Sequence, residues 1–219
     1  FDVSEDLPAD LDLVLWPESS IGVTGPVADT AESDRMAALA RRTGATVVAG
    51  VTESGSTAFR NAAVAWAPDG RVVDRYEKVH RVPFGEYIPA RGLFERLSDM
   101  TALVPRDAVP GRGPGLLETP AGPLGVAISF EVFFSDRARA AVTAGADQLC
   151  LGDTIGTTTP LRVVQMLDAV RRACPGTPVG VHFHDTRGTG QANALAAVQA
   201  GATQLDASIG GLRSEEHTS

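Results

Sequence analysis

Two histidines, His182 and His184, stand two residues apart in the apolar string PVGVHFHDT. In a β-strand, side chains at i and i+2 share a face, so both imidazoles point the same way. At the C-terminal mouth of a barrel strand they can bind one divalent ion. Taken alone, the pair equally fits a half-buried strand whose histidines are satisfied by neighbours. A second set of groups is spread through the first two-thirds of the chain. Glu18 ends the apolar run LDLVLWPE, Lys78 closes NAAVAWAPDGRVVDRYEK, and Ser129 lies within GVAISFE. Read singly, these are a strand-end surface acid, a solvated strand lysine and a small core residue, because charged side chains usually face water. Cys150 and Cys174 are the only thiols. Two are too few for a disulfide framework, and they leave the redox compartment open.

Short apolar runs alternate with helical patterns along the chain, which predicts an α/β fold. Residues 11–18 and 46–53 read as strands. Between them, Asp34 to Thr43 has helical spacing, with Met36, Leu39 and Ala40 on one face, and Gly44 stops it. Residues 61–78 read as two strands joined by a Pro-Asp-Gly turn in which Gly70 supplies backbone freedom. The proline- and glycine-rich stretch 105–123 reads as a surface loop, 125–131 as a strand and 136–143 as a short amphipathic helix. From about residue 145 a strict βαβαβ rhythm sets in, with helices over roughly 160–173 and 190–200, as a parallel sheet or barrel requires. AVTAGADQL (141–149) and AVQAGATQL (197–205) agree at seven of nine positions. Any helix entering a buried strand through Ala-Gly-Ala gives such an echo.

The 219 residues, 43% of them hydrophobic, can bury a core, which excludes wholesale disorder. Nineteen basic residues against 27 acidic ones leave a formal charge of −8. With no basic run, this chain is not built to grip nucleic acid or an anionic lipid surface through charge. No uncharged apolar stretch approaches the ~18 residues of a membrane span. FDVSEDLPAD lacks the features of a signal peptide, and the absence of an initial methionine suggests a fragment.

The blocks VLWPESS, RYEKVHRVPFGEYIP and GVAISFEVFF, in that order, resemble the carbon–nitrogen hydrolase (nitrilase) superfamily, and within it the apolipoprotein N-acyltransferase branch. The resemblance implies an αββα sandwich, incomplete here, over residues 1–144. It also implies a general base at Glu18, an oxyanion-stabilising lysine at Lys78, and Ser129 at the position of the family's cysteine nucleophile. Glu86 and Glu131 match further carboxylates of that site. A base must take the nucleophile's proton and a fixed cation must meet the oxyanion. Ser129 departs from the pattern. A serine hydroxyl is not ionised near neutrality, so it depends wholly on its base. This lineage implies phospholipid and apolipoprotein as partners, no cofactor, and a cell-membrane enzyme with an extracytoplasmic catalytic domain. Its transmembrane helices have no counterpart in this sequence.

CLGDTIGTTTP, then VHFHDTRGTGQANALAAVQAG and LDASIGGL, resemble a different family, the hydroxymethylglutaryl-CoA lyase branch of the metal-dependent lyase barrels. The resemblance covers residues 145–212, about three βα units of a partial TIM barrel. It implies His182 and His184 as ligands of magnesium or manganese, Asp153 and Thr154 lining the same mouth, and Asp185 as an acceptor beside the ligands. It further implies an acyl-CoA substrate, carbon–carbon cleavage and a typically cytoplasmic enzyme. The family's first-strand aspartate, its catalytic arginine and the cysteine expected beyond Gly211 have no counterpart. Residues 213–219, RSEEHTS, match neither family and resemble a translated sequencing adapter. The two patterns meet at Ala-Gly-Ala, 144–146. Three readings stand: an acyltransferase lineage, non-functional as a truncated chimera; a lyase fragment; and an inactive chimeric fragment with no enzyme activity.

Overall fold

The computed structural model describes residues 7–8, 11–94, 104–128, 131, 134–146, 148–153, 156 and 158–206. The chain is a mixed α/β protein that divides into two compact units, Phe1–Glu131 and Val132–Ser219.

In the first unit, β1 (Leu13–Thr24), β2 (Thr46–Ser54), β3 (Ala58–Trp66) and β4 (Val72–Glu77) form a sheet in that order. β1 runs parallel to β2, and the next two pairs are antiparallel. The crossover between β1 and β2 is α1 (Ala31–Thr43). The Thr30 hydroxyl caps it by accepting from Ser33 N–H at 3.3 Å. Gly44 ends it at φ 68°, a conformation glycine adopts without a side-chain clash. The Gly70 N–H closes the β3–β4 turn on the Ala67 carbonyl at 2.7 Å, again at positive φ.

The two central strands are buried on both faces, and so read as unbroken apolar runs. Val47, Val51, Val64 and Trp66 pack with Met36, Leu39 and Ala40 of α1. Their alternates Val48, Ala63 and Ala65 pack with Tyr76, Leu117 and Ile128. A helical turn α2 (Arg91–Phe94) and a two-residue strand β5 (Asp107–Ala108), parallel to the start of β3, come next. The stretch 105–123 is more than a surface loop. It holds β5 and most of the hairpin of β6 (Leu116–Thr119) and β7 (Gly122–Gly125), which turns at its Thr-Pro-Ala-Gly corner. The strand expected over 125–131 stops with β7. Residues 126–128 are irregular, and Ser129 and Phe130 lie outside the described residues.

The second unit begins with α3 (Ser135–Thr143). Then β8 (Leu149–Asp153), α4 (Pro160–Ala173), β9 (Val179–Phe183), α5 (Gly190–Gln199) and β10 (Gln204–Asp206) succeed one another in strict alternation. The strands pair in the order β10-β9-β8, all parallel, as a barrel-type βα series does. Pro160 opens α4, where its missing N–H costs nothing. The unit buries Leu149, Leu151, Val163, Leu167, Val179 and Val181. Among the described residues no helix is long and apolar enough to cross a membrane.

Candidate functional site

The site in the first unit begins with a defect in a strand. Trp16 pairs with Ala49 and Ile21 with Val51, so β1 spends five steps where β2 spends two. The three extra residues form a bulge, the device by which a strand re-aims a side chain. Ser19 takes φ 56° within it. The Ser20 hydroxyl ties the bulge together, donating to the Pro17 carbonyl at 2.8 Å and the Gly50 carbonyl at 3.2 Å. Position 50 admits only glycine. A Cβ there would lie 2.4 Å from Glu18 Cα and from the Pro17 oxygen.

The bulge delivers Glu18 to Lys78. Lys78 Nζ lies 3.3 Å from Glu18 Oε1 and 2.7 Å from Glu86 Oε1. The lysine side chain is 2% exposed, and the carboxylates are 18% and 15% exposed. A buried ammonium is tolerable only when paired in this way. Glu86 is fixed in turn, since its Oε2 accepts from Val82 N–H at 2.8 Å. That contact closes a turn in which Phe84 sits at φ 60°. Asn61 of β3 donates to Glu18 Oε1 at 2.6 Å. Its carbonyl accepts the Lys78 N–H at 2.9 Å.

Glu131 is fully buried and makes its hydrogen bonds to other groups than this trio. Its Oε1 accepts from Tyr76 O–H at 2.7 Å, Val79 N–H at 2.8 Å and His80 N–H at 3.1 Å. Its Oε2 accepts from Ile128 N–H at 2.9 Å. Four donors occupy the carboxylate, which makes it a brace between the chain after Lys78 and the chain before Ser129. Of the five residues expected at this site, Glu18, Lys78 and Glu86 are in contact, Glu131 stands behind them, and Ser129 lies outside the described residues.

Asn61 is a site residue that the sequence motifs do not mark, and Tyr76 lies in the RYEK block without a role assigned to it there. The one available sign is an amide at the head of the apolar run NAAVAW, at 6% exposure in the fold. A charged lattice lies further along the sheet. Arg75 grips Glu53 through two bonds of 3.1 and 3.0 Å and reaches Glu77 at 2.9 Å. Burial alone would raise the Glu53 carboxyl. The Arg75 hydrogen bonds and the Val27 N–H outweigh it and hold that carboxyl below the ordinary carboxylate range.

In the second unit, His182 lies on β9 and His184 just beyond its end, not on one strand as the spacing predicts, with ring centroids 5.0 Å apart in an edge-on arrangement. Asp153 ends β8 beside them and is buried. Its Oδ2 accepts from Thr158 N–H at 2.8 Å, and its carbonyl accepts from His184 N–H at 3.4 Å. Asp185 Oδ1 accepts from Gly190 N–H at 2.6 Å, at the start of α5. Thr154 lies outside the described residues. Among the described residues no group of three or more His, Cys, Asp or Glu side chains could hold a metal ion. Two imidazoles alone do not make up a metal site, and among the described residues no third such side chain is grouped with His182 and His184. Neither cysteine supplies one. Cys150 is exposed, Cys174 is buried, and burial pushes the Cys174 thiol up.

Comparison with known proteins divides the chain in the same sense. The HMGL-like family model matches residues 129–215. Hydroxymethylglutaryl-CoA lyase YngG of Bacillus subtilis is 47% identical over 68 residues, which is 31% of this chain and 23% of that protein. The apolipoprotein N-acyltransferase of Mycolicibacterium smegmatis is 31% identical over 144 residues, 63% of this chain and 24% of that protein. That of Geobacter metallireducens is 32% identical over 142 residues, 62% of this chain and 26% of that protein. The chain thus spans about a quarter of the length of these relatives. The carboxyl transferase domain of Rhizobium etli pyruvate carboxylase aligns at 33% identity over 37% of this chain and 14% of that chain, with a TM-score of 0.34. The chain therefore has a two-part resemblance, to apolipoprotein N-acyltransferase in its N-terminal part and to hydroxymethylglutaryl-CoA lyase in its C-terminal part.

Proposed function

We propose that the first unit carries the acyl-transfer site of a carbon–nitrogen hydrolase lineage on an incomplete αββα sandwich. Glu18 is the general base, Lys78 the oxyanion stabiliser and Ser129 the residue at the nucleophile position. The observation that carries this reading is Lys78, 2% exposed and held between Glu18 and Glu86. A cation fixed in place before the reaction meets a developing oxyanion without reorganisation. In this reading the attacking group passes its proton to Glu18, bonds to the acyl carbon, and the carbonyl oxygen's charge falls to Lys78. Collapse expels the donor's alcohol and leaves an acyl-enzyme, which an amine then cleaves to an amide. Phospholipid as donor and apolipoprotein as acceptor are the substrates the resemblance suggests.

Serine slows the sequence at its first step, because its hydroxyl is not ionised near neutrality, where a thiol has a few per cent, and it depends wholly on Glu18. Either an oxygen ester forms at Ser129 through that base or none forms, and in both cases the S129C variant raises acylation by an activated ester such as p-nitrophenyl acetate. Peptide-resolved mass spectrometry reads this out. Failure of S129C to acylate faster than exposed Cys150 would refute the reading.

A second reading belongs to the C-terminal part. The lyase similarity and the proximity of the His182 and His184 rings support a fragment of a divalent-metal carbon–carbon lyase. With two donors, it performs no lyase chemistry by itself. We further propose that residues 1–144 and 145–212 are pieces of two genes joined at Ala-Gly-Ala, with a foreign tail over 213–219. Amplification of source DNA with primers flanking the codons for residues 120–170 tests the joint. Separate amplification of each flank without a product across them fits two genes, and a single product carrying the joint makes the fusion genomic.

A further inference from the structure

We infer that Asn61 is a positioning residue that sets the Glu18 carboxylate, an inference that rests on the reading of Glu18 as the base. Asn61 lies on β3, at 6% exposure, in a run where every later position through Ala67 is apolar and buried. A residue needed there only to fill space would be apolar as well. Instead the amide is half satisfied. Its Nδ2 donates to Glu18 Oε1 at 2.6 Å, and its Oδ1 is buried with no hydrogen-bond partner among the described residues. An unmet buried acceptor costs free energy and offsets what the bond to the Glu18 carboxylate contributes, so the amide is a costly way to fill this place in the fold. Its further contribution is geometric.

Glu18 reaches the site on a three-residue bulge and must hold one orientation against the pull of Lys78. The lysine approaches Oε1 at 3.3 Å, and the Asn61 donor meets the same oxygen at the shorter distance. With Oε1 claimed twice, Oε2 is the oxygen left to take a proton. The backbone carbonyl of Asn61 accepts the Lys78 N–H at 2.9 Å, a bond that any residue at position 61 would keep, so a substitution there tests the side-chain amide alone. Remove the amide and the carboxylate is free to turn both oxygens to Lys78, leaving neither held for the attacking group's proton.

The test uses the full chain carrying S129C, acylated with p-nitrophenyl acetate, with the rate at residue 129 followed by peptide-resolved mass spectrometry and Cys150 as internal reference. Glu18→Gln lowers the rate at residue 129 by at least about 100-fold, the scale of a lost general base. Asn61→Ala lowers it by about tenfold, and Asn61→Asp, which keeps the shape and loses the donor, lowers it at least as far. The decisive arm is the double variant. If Asn61 acts through Glu18, Asn61→Ala produces no further fall in the Glu18→Gln background. A merely structural role would produce the same fall in both backgrounds and would overturn the inference, as would an Asn61→Ala rate equal to that of the S129C parent. An unchanged rate in Glu18→Gln would instead remove the base assignment itself, and the inference with it.

Discussion

Glu131→Gln exchanges one atom and removes one charge in a place where four donors converge. The carboxylate accepts three bonds on Oε1 and one on Oε2. A glutamine can keep its carbonyl at the Oε1 place, so Tyr76, Val79 and His80 still find an acceptor. That acceptor is neutral, and a bond to a charged group is worth about 1 kcal/mol more, net of solvation, than one to a neutral group. The amide nitrogen then faces the Ile128 N–H, donor against donor, in a fully buried place. An N–H left unmet there costs about 1–3 kcal/mol. Together the change should destabilise the first unit by about 4–6 kcal/mol, a large part of the 5–15 kcal/mol available to a domain. Both tryptophans, Trp16 and Trp66, belong to the first unit, so fluorescence during urea unfolding reports on that unit alone. The midpoint should fall with the slope unchanged. A loss below about 1 kcal/mol would refute the assignment of Glu131 as a brace with four working bonds.

Three further perturbations probe the bulge, the charged lattice and the histidine pair. Gly50→Ala drives a Cβ into the backbone of the bulge at 2.4 Å, and should cost about 2–3 kcal/mol in the same unfolding assay while slowing acylation of S129C, because Glu18 moves with the bulge. Glu53 has a depressed carboxyl in the fold, so its contribution is present above the unfolded value near about 4.3 and is lost as pH falls through the lower folded value. Glu53→Gln should therefore be less stable than the parent at pH 7 and should lose less on acidification, and parallel pH curves for the two would contradict this. In the second unit, manganese titrated against the full chain should bind only weakly with two imidazoles, and His182→Ala should abolish that binding; binding that survives the substitution would place the metal elsewhere.

The features legible in a sequence are those fixed by local chemistry. The helix read over 160–173 has those bounds because Pro160 opens it and the apolar positions 163, 167 and 170 keep helical spacing. The β3–β4 hairpin comes from its Pro-Asp-Gly turn. The bulge that aims Glu18 is not written locally. It exists because β1 and β2 disagree in length between two paired points, and only Gly50, thirty residues away, makes room for it. Asn61 shows the same limit, since an amide in an apolar run gains meaning only when two other strands bring Glu18 and Lys78 against it. The hairpin of β6 and β7 was hidden for a different reason. Its prolines and glycines mark turns, and four-residue strands between them carry too few residues to display a period.

The function proposed for the first unit stands or falls on Glu18 and Lys78 being a base and an oxyanion site that wait on a nucleophile at position 129. Acylation of the S129C chain by p-nitrophenyl acetate at neutral pH, beside the parent and S129C/Glu18→Gln, measures this at the reacting atom. The expected result is an acyl group on residue 129 in S129C, formed faster than on exposed Cys150 and faster than on Ser129 in the parent, with a loss of about 100-fold or more when Glu18 is changed. Acylation of residue 129 no faster than that of Cys150, or unaltered by the change at Glu18, would contradict it.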